Sequence, residues 1–168
     1  MWEPSPEKDR PEARVRIRRF DYAADTATLL SFMPELYESN FPGFVVDVEF
    51  MARRRSQLRA AARDPSQMVL VAEDDLGPCG FIWLVIEQDY QRRRRGEVSA
   101  LYVHPRARGR GVGRQLMEAG EEYLRSCGCD SVMLMVTATN RVALSLYESM
   151  GYEVTRYQME KRLPRGPR

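Results

Sequence analysis

The stretch EVSALYVHPRARGRGVG, residues 97–113, decides the fold of this chain. Its first half is rich in β-branched and aromatic residues, and apolar residues recur at helical spacing after the glycines, at Leu116, Ala119, Tyr123 and Leu124. The stretch therefore predicts a strand, a glycine-rich turn and then a helix. The N–H groups at such a helix start and the positive end of the helix dipole converge on one point. We expect a phosphate or pyrophosphate to bind there.

Two other kinds of phosphate loop fit these residues less well. A nucleoside triphosphatase loop requires a lysine and then Ser or Thr after its last glycine, but Gly113 is followed by Arg114 and Gln115. A dinucleotide-binding loop requires a third glycine where this chain has Leu116, and it normally opens a βαβ unit near the start of the fold. The sequence argues against both classes.

Two blocks of sequence together resemble one known family. Arg108, Gly111 and Gly113 form an Arg-x-x-Gly-x-Gly pattern, and residues 140–152, NRVALSLYESMGY, form an N-x-x-A-x-x-x-Y-x-x-x-G-[FY] pattern. With these blocks the chain resembles the GNAT superfamily of N-acetyltransferases. The resemblance is close over about residues 68–160, whereas residues 15–64 match only in the order of their predicted elements.

Hydrophobic periodicity and turn residues predict a mixed α+β fold. Strands are expected at 15–19, 68–73, 80–88, 97–103, 131–136 and about 153–162, and helices at 25–38, 46–62, from the glycine turn to about 126, and 140–149. We expect a mostly antiparallel central sheet flanked by helices, in three α/β/α layers like other acyl-CoA N-acyltransferases, with one parallel crossover around residue 111. Residues 14–163 should form a single domain between a disordered tail at 1–13 and a short tail at 164–168.

Composition narrows the functional classes. The chain has 168 residues, is 43% hydrophobic and carries a net charge of +2, which fits one soluble domain. No apolar run approaches the roughly 18 residues of a membrane span, and no signal peptide is apparent, so we expect a cytoplasmic protein without membrane contact. The arginine runs at 53–55 and 92–95 are flanked by acids and lack interleaved aromatics, which argues against nucleic-acid binding.

The three cysteines, Cys79, Cys127 and Cys129, lack the spacing of metal ligands. We interpret them as small apolar residues in a reducing compartment, and we expect no metal site.

The resemblance implies that acetyl-CoA is the co-substrate. Its pyrophosphate is expected at the glycine loop, on Arg108, Gly109, Arg110, Gly111, Val112 and Gly113. Its pantetheine arm is expected between the splayed strands at 97–103 and 131–136, on backbone groups of Leu101, Tyr102 and Val103. The N–H near Val103 is then the expected donor to the thioester oxygen as charge develops on it. Asn140 is expected both to cap its helix and to contact the coenzyme.

Two side chains are candidate catalytic groups. Tyr147 matches the family tyrosine that protonates the departing coenzyme A thiolate, although at helical spacing with Ala143 and Met150 it could simply pack. Glu97 is the candidate base for the protonated amine. Alternatively, Glu97 is a solvated carboxylate paired with Arg95 or a neighbour, and solvent accepts the proton. We interpret His104 as a turn residue before Pro105.

The sequence does not identify the amine acceptor. In this fold the segment 25–62 and the loop 88–96 border the acceptor mouth, and here they carry aromatic and acidic side chains beside the arginine runs: Tyr37, Phe41, Phe44, Asp47, Asp89 and Tyr90. The aromatic and acidic groups suit a cationic amine, and the arginines suit an acid-bearing one. A small-molecule amine such as an aminoglycoside, a polyamine or an amino acid, and a peptide or protein N-terminus, all remain possible.

Two further points concern turnover and assembly. The alternative to an enzyme is an acyl-CoA-binding sensor or regulatory module without turnover, but the presence of both Glu97 and Tyr147 favours the enzyme. The stretch after Gly151 is too short for a full two-stranded hairpin, so a partner chain is expected to complete that sheet edge in a homodimer.

Overall fold

The structure is a computed structural model that describes residues 15–164, and the chain divides into two units, one up to Thr137 and one from Ala138 onward. The predicted tail at 1–13 lies outside the described residues, and the expectation of a single domain stays a prediction. The first unit contains five strands, β1 Arg16–Arg19, β2 Gln67–Asp74, β3 Gly77–Gln88, β4 Arg94–Val103 and β5 Ser131–Leu134. Its helices are α1 Tyr22–Asn40, α2 Val48–Ala61, a short 3-10 helix Pro105–Ala107 and α3 Val112–Ser126.

The five strands form one sheet in sequence order. β1 to β4 pair antiparallel with their neighbours, and β5 pairs parallel with β4 after the crossover through α3. The predicted mixed, mostly antiparallel sheet is therefore confirmed.

Helices cover both faces of the sheet because β3 is apolar on both sides. Phe81 and Trp83 belong to a core that includes buried residues of α1 and α2. Ile82 and Leu84 alternate with them and so point to the opposite face, where α3 packs against them. Gly120 permits this close packing, because a Cβ there would lie 3.1 Å from Ile82 Cδ1. The three-layer arrangement is confirmed.

A buried ion pair joins the start of α1 to the sheet. Asp25, which is 1% exposed, accepts two hydrogen bonds from Arg18 at 2.7 and 2.8 Å and one from the N–H of Asp21 at 2.8 Å. Arg18 also donates to Glu73 on β2, at 3.0 Å. Burial raises the pKa of Asp25, but the hydrogen bonds from Arg18 and Asp21 outweigh burial, so the pKa of Asp25 lies below its ordinary value. Hydrogen bonds from Arg18 and Arg16 lower the pKa of Glu73 to about 2.

The second unit contains the helix α4, Arg141–Ser149, and then residues 152–164 without regular secondary structure. The predicted last strand at about 153–162 is therefore wrong. The segment contains residues that suit a strand, among them Val154, Thr155 and Tyr157, but a strand also needs a neighbour to accept its backbone hydrogen bonds. No such neighbour pairs with these residues within the described chain.

Among residues 15–164, no helix combines the length and the apolar character that crossing a bilayer requires.

Candidate functional site

The glycine loop forms the start of α3 as the sequence predicts. Gly109 and Gly111 adopt left-handed conformations, with φ of +72° and +73°, which favour glycine. The N-cap of α3 is Gly111, which has no side chain to cap the helix, and the first bond within the helix runs from Gln115 N to Gly111 O at 3.0 Å. The N–H groups of Val112 and Gly113 therefore have no acceptor within the helix. Together with the helix dipole they form a candidate anion site.

An almost buried carboxylate anchors this loop. Asp74, whose side chain is 6% exposed, accepts from Arg106 at 3.0 and 3.1 Å, and Arg110 lies 3.6 Å from it. Arg106 also donates to the carbonyls of Gly77 and Pro78, at 3.1 and 2.9 Å. Arg106 thus joins the end of β2 to the start of β3, and Arg110 reaches the end of β2.

Arg108 joins the loop to the end of β4 and to α1. Its Nε donates to Val103 O at 2.9 Å, and its Nη2 donates to Glu35 on α1 at 2.7 Å. Glu35 also accepts from the Tyr102 hydroxyl at 2.5 Å. That hydrogen bond, with the Arg108 bond, lowers the pKa of Glu35 although burial opposes the shift. The side chains of Arg108 and Tyr102 are therefore committed to this network, which leaves their backbone groups as candidate coenzyme contacts.

Sequence reasoning missed Glu35, since no motif marks it. Tyr102 is buried and stacks on Phe32 with ring centroids 4.8 Å apart, and burial together with the Glu35 bond raises its pKa. His104 lies beside the same Phe32 ring, and its Nδ1 accepts from Arg106 N at 3.3 Å at the start of the 3-10 helix. The interpretation of His104 as a turn residue is confirmed.

The strands β4 and β5 part before β4 ends. Their parallel pairing stops at Val98 and Leu134, two residues earlier on β5 than the sequence predicts. Ser99 forms a bulge, because Val98 and Ala100 pair with consecutive residues of β3. From Ser99 to Val103, with half-buried Leu101 in the middle, β4 has a neighbouring strand only on its β3 side within the described residues. An open backbone edge thus leads to the glycine loop.

Glu97 lies on β4 opposite Val85, so its side chain points to the sheet face that α1 and α2 cover. It is half-buried. Arg95 binds Glu87 on β3 and also interacts electrostatically with Glu97, so the alternative of a pair with Arg95 stays beside the base role. Within residues 15–164 no hydrogen bond or ion pair to the Glu97 side chain is present. This half-buried carboxylate on β4 is the candidate base.

In the second unit, Asn140 and Tyr147 occupy the two ends of α4. Asn140 caps the helix by accepting from Ala143 N at 3.1 Å, which confirms its predicted capping role. Tyr147 is 9% exposed, and its ring lies 5.8 Å from that of Tyr152. Burial raises the pKa of Tyr147, so the phenol stays protonated at neutral pH and can donate a proton.

The residues expected at the acceptor mouth separate in the structure. Three of them line one cavity of about 350 Å³, which we call the aromatic cavity, and its lining residues are Tyr37, Phe41, Phe44, Phe50, Arg53, Arg54 and Gln57. Asp47 instead caps α2 by accepting from Phe50 N at 2.7 Å. Asp89 binds Arg93 at 2.9 Å in its own loop, and Tyr90 is 91% exposed.

Comparisons with known proteins agree with this architecture. The model of the acetyltransferase (GNAT) family matches residues 30–152. The chain is similar to mycothiol acetyltransferase of Thermomonospora curvata, with 35% identity over 160 residues that cover 94% of this chain and 49% of that protein. Mycothiol acetyltransferase of Salinispora tropica is 34% identical over 152 residues, which cover 89% of this chain and 48% of that protein. The chain spans about half the length of the curated relatives it matches.

Solved structures share the fold at lower identity. Glucosamine-6-phosphate N-acetyltransferase from Arabidopsis thaliana has a TM-score of 0.64 at 22% identity, covering 90% of this chain and 99% of that one. A transcriptional regulator from Bacillus halodurans has a TM-score of 0.73 at 19% identity, and the match covers 89% of this chain and 100% of that one. At these identities the likeness shows the fold alone.

Proposed function

The chain belongs to the acetyltransferase (GNAT) family, and on that premise we propose that it transfers the acetyl group of acetyl-CoA to an amine by direct attack in a ternary complex. The observation that carries the proposal is the continuity of two backbone surfaces. The open edge of β4 from Ser99 to Val103 leads into the N–H groups at the start of α3. Arg108 joins these two surfaces through its 2.9 Å bond to Val103 O.

The two surfaces fit the two ends of the co-substrate. The N–H groups at Gly111, Val112 and Gly113 suit a pyrophosphate, and an open strand edge suits the amides of a pantetheine arm, which can pair with it as a strand does. In this proposal Leu101 and Val103 hold the arm through their backbone groups. An N–H near Val103 donates to the thioester oxygen, on which negative charge develops during attack.

Proton transfer follows from the two candidate side chains. The amine nitrogen forms a bond to the acetyl carbon, and the bond from that carbon to sulfur breaks. Glu97 accepts the proton of the amine, directly or through water, and the absence of a hydrogen-bond partner for its side chain among residues 15–164 supports this role. Tyr147 donates a proton to the departing thiolate. The family motif and the raised pKa of Tyr147 support its assignment.

The similarity to mycothiol acetyltransferases supports a small-molecule acceptor. The proposal retains the expected cytoplasmic location and the homodimer. In support of the dimer, the segment 152–164 exposes several apolar side chains that a second copy could cover: Val154, Tyr157, Met159 and Leu163. Sedimentation of the intact chain and of a chain that ends after Tyr152 tests it, because loss of the segment should yield a monomer.

The test of the activity is thiol release from acetyl-CoA with a panel of amines: aminoglycosides, polyamines, amino acids and peptides. Release that depends on one class of amine would support the proposal and identify the acceptor class. Tight coenzyme A binding by calorimetry, with no release from any amine, would favour the sensor alternative instead.

A further inference from the structure

Building on the proposed acetyl transfer, we propose that the acceptor carries a carboxylate beside an apolar or aromatic group. The aromatic cavity binds this end of the acceptor, and Arg54 binds the carboxylate. The inference rests on the rings of the cavity, on the pairing of its charges and on its position at the end of α1.

The cavity has the walls of an apolar binding site. The ring of Phe50 lies 4.7 Å from that of Tyr37 and 5.2 Å from that of Phe44, in edge-on contacts. Phe41 and Phe44 nevertheless stay 53% and 38% exposed. A cavity of about 350 Å³ between such rings suits an aromatic or branched apolar group of a small ligand.

Arg54 gives this apolar site a positive charge. Its guanidinium lies 4.6 Å from the ring centre of Tyr37 and 5.3 Å from that of Phe50. Burial lowers its pKa, and its Nη1 donates to Gln57 at 2.9 Å. No ion pair to Arg54 occurs among residues 15–164, whereas the adjacent Arg53 pairs with Glu49 at 2.6 Å.

A half-buried charge without a counter-ion is costly, and a carboxylate removes that cost. The rings of Tyr37 and Phe50 lie against the Arg54 guanidinium, and Nε and Nη2 remain to donate. The planar guanidinium matches a carboxylate with two parallel hydrogen bonds. The site is therefore built for an anion attached to an apolar group.

The acids that could favour a cationic acceptor are occupied elsewhere. Asp47 accepts from Phe50 N, and Asp89 accepts from Arg93 and from the N–H groups of Gln91 and Arg93, at 2.8 to 2.9 Å. Neither residue lines the cavity. The sequence leaves acidic and basic groups in conflict, and the geometry resolves that conflict in favour of an acid-bearing acceptor.

The position of the cavity fits an acceptor site. Phe41 follows Asn40, the last residue of α1, whose carbonyl accepts from Thr137 Oγ1 at 3.1 Å. Thr137 lies three residues beyond Leu134, where the pairing of β5 with β4 ends. The contact brings this end of α1 next to the segment that follows β5. A ligand in the cavity can therefore extend its amine toward the place where β4 and β5 part.

The first experiment compares amines with and without a carboxylate, with kcat/KM expressed per free amine because the carboxylate also changes the basicity of the amine: L-phenylalanine with phenethylamine, and L-leucine with 3-methylbutylamine. Thiol release from acetyl-CoA should show kcat/KM at least about tenfold higher for the acid of each pair, as expected for a charge-assisted hydrogen bond. Arg54→Gln should abolish this preference. Arg54→Lys, which keeps the charge and loses the planar donor pair, should retain part of it.

Arg55→Gln is the matched control, because it removes the same charge one residue further along α2 and its side chain does not line the cavity. In Arg55→Gln, the ratio of kcat/KM between the acid and the amine of each pair should equal that of the unmodified protein. Equal kcat/KM for acid and amine in the unmodified protein, or the same loss of preference in Arg55→Gln as in Arg54→Gln, would overturn the inference.

A second experiment needs no turnover. Calorimetry should detect binding of N-acetyl-L-phenylalanine, with about a tenfold loss of affinity in Arg54→Gln. Thiol release from other amines without such binding would overturn the cavity assignment and leave the proposed function intact. Binding that depends on Arg54, with no thiol release from any amine, would overturn the proposed function and leave the ligand class of the cavity in place.

Discussion

Replacement of Gly111 by alanine tests the coenzyme site against a control that the chain itself supplies. Gly111 has a φ of +73° and Gly128, beyond the end of α3, has a φ of +77°. A Cβ at Gly128 would meet nothing within 4 Å, and one at Gly111 would meet only Gln115 Nε2, at 4.0 Å. Both substitutions therefore cost folding energy through the backbone alone, about 1 kcal/mol each. Melting temperatures should fall by about 2–4 °C in both variants.

Coenzyme binding should separate the two variants. At Gly111 the substitution strains the backbone of the turn whose N–H groups are proposed to hold the pyrophosphate, so at least one charge-assisted hydrogen bond should be lost. Such a bond contributes about 1.5–3 kcal/mol, which corresponds to a rise of about 10- to 150-fold in the Kd of coenzyme A. Gly128→Ala should bind as the unmodified protein does.

The assay is calorimetry of coenzyme A, and of pantetheine as a ligand without the pyrophosphate. Pantetheine affinity should be the same in both variants. If Gly111→Ala binds coenzyme A as tightly as Gly128→Ala does, the pyrophosphate assignment is refuted.

Three further predictions concern catalysis and stability. Glu97→Gln should lower turnover most at low pH, where free amine is scarce; an unchanged pH–rate profile would remove Glu97 as the base. Tyr147→Phe should lower kcat about 100-fold or more with little change in the KM for acetyl-CoA, and an unaltered kcat in thiol-release assays would assign the proton to another donor. Asp25→Asn should cost about 3 kcal/mol of unfolding free energy in urea at pH 7, because it removes the buried partner of Arg18. The pKa of Asp25 is lowered and that of Glu73 falls to about 2, so the stabilisation from both carboxylates is present above their ordinary pKa values and is lost as the pH falls below them. The deficit of Asp25→Asn should therefore narrow in acid, and a constant deficit from pH 7 to pH 2 would contradict this account.

The elements predicted most accurately are those with local chemical signals. Glycines in left-handed conformations mark the start of α3 at Val112, and an Asx residue marks the start of α4 at Arg141. Runs of β-branched and aromatic residues bounded by turn residues place β3 and β4 to within three residues. These signals depend on neighbours in the sequence, so they can be read without the rest of the fold.

The features that sequence did not predict depend on partners far along the chain. Glu35 contacts Tyr102 and Arg108, which follow it by 67 and 73 residues. The bulge at Ser99 is a property of two strands in register, and residues 152–164 lack strand structure because no strand of the described chain pairs with them. Likewise, both arginines and acids border the cavity region in sequence, and only the hydrogen bonds show which of these charges are already paired.

The three arginines at the glycine loop are all paired with carboxylates. Arg106 and Arg110 share Asp74, and Arg108 binds Glu35. These pairs offset two of the three positive charges, so fixed backbone dipoles, whose influence extends over little more than one helical turn, supply part of the attraction for an anion. Dissolved ions screen long-range attraction between free charges far more than such short-range contacts. Coenzyme affinity in this protein should accordingly depend less on ionic strength than in a site where unpaired arginines face the phosphates.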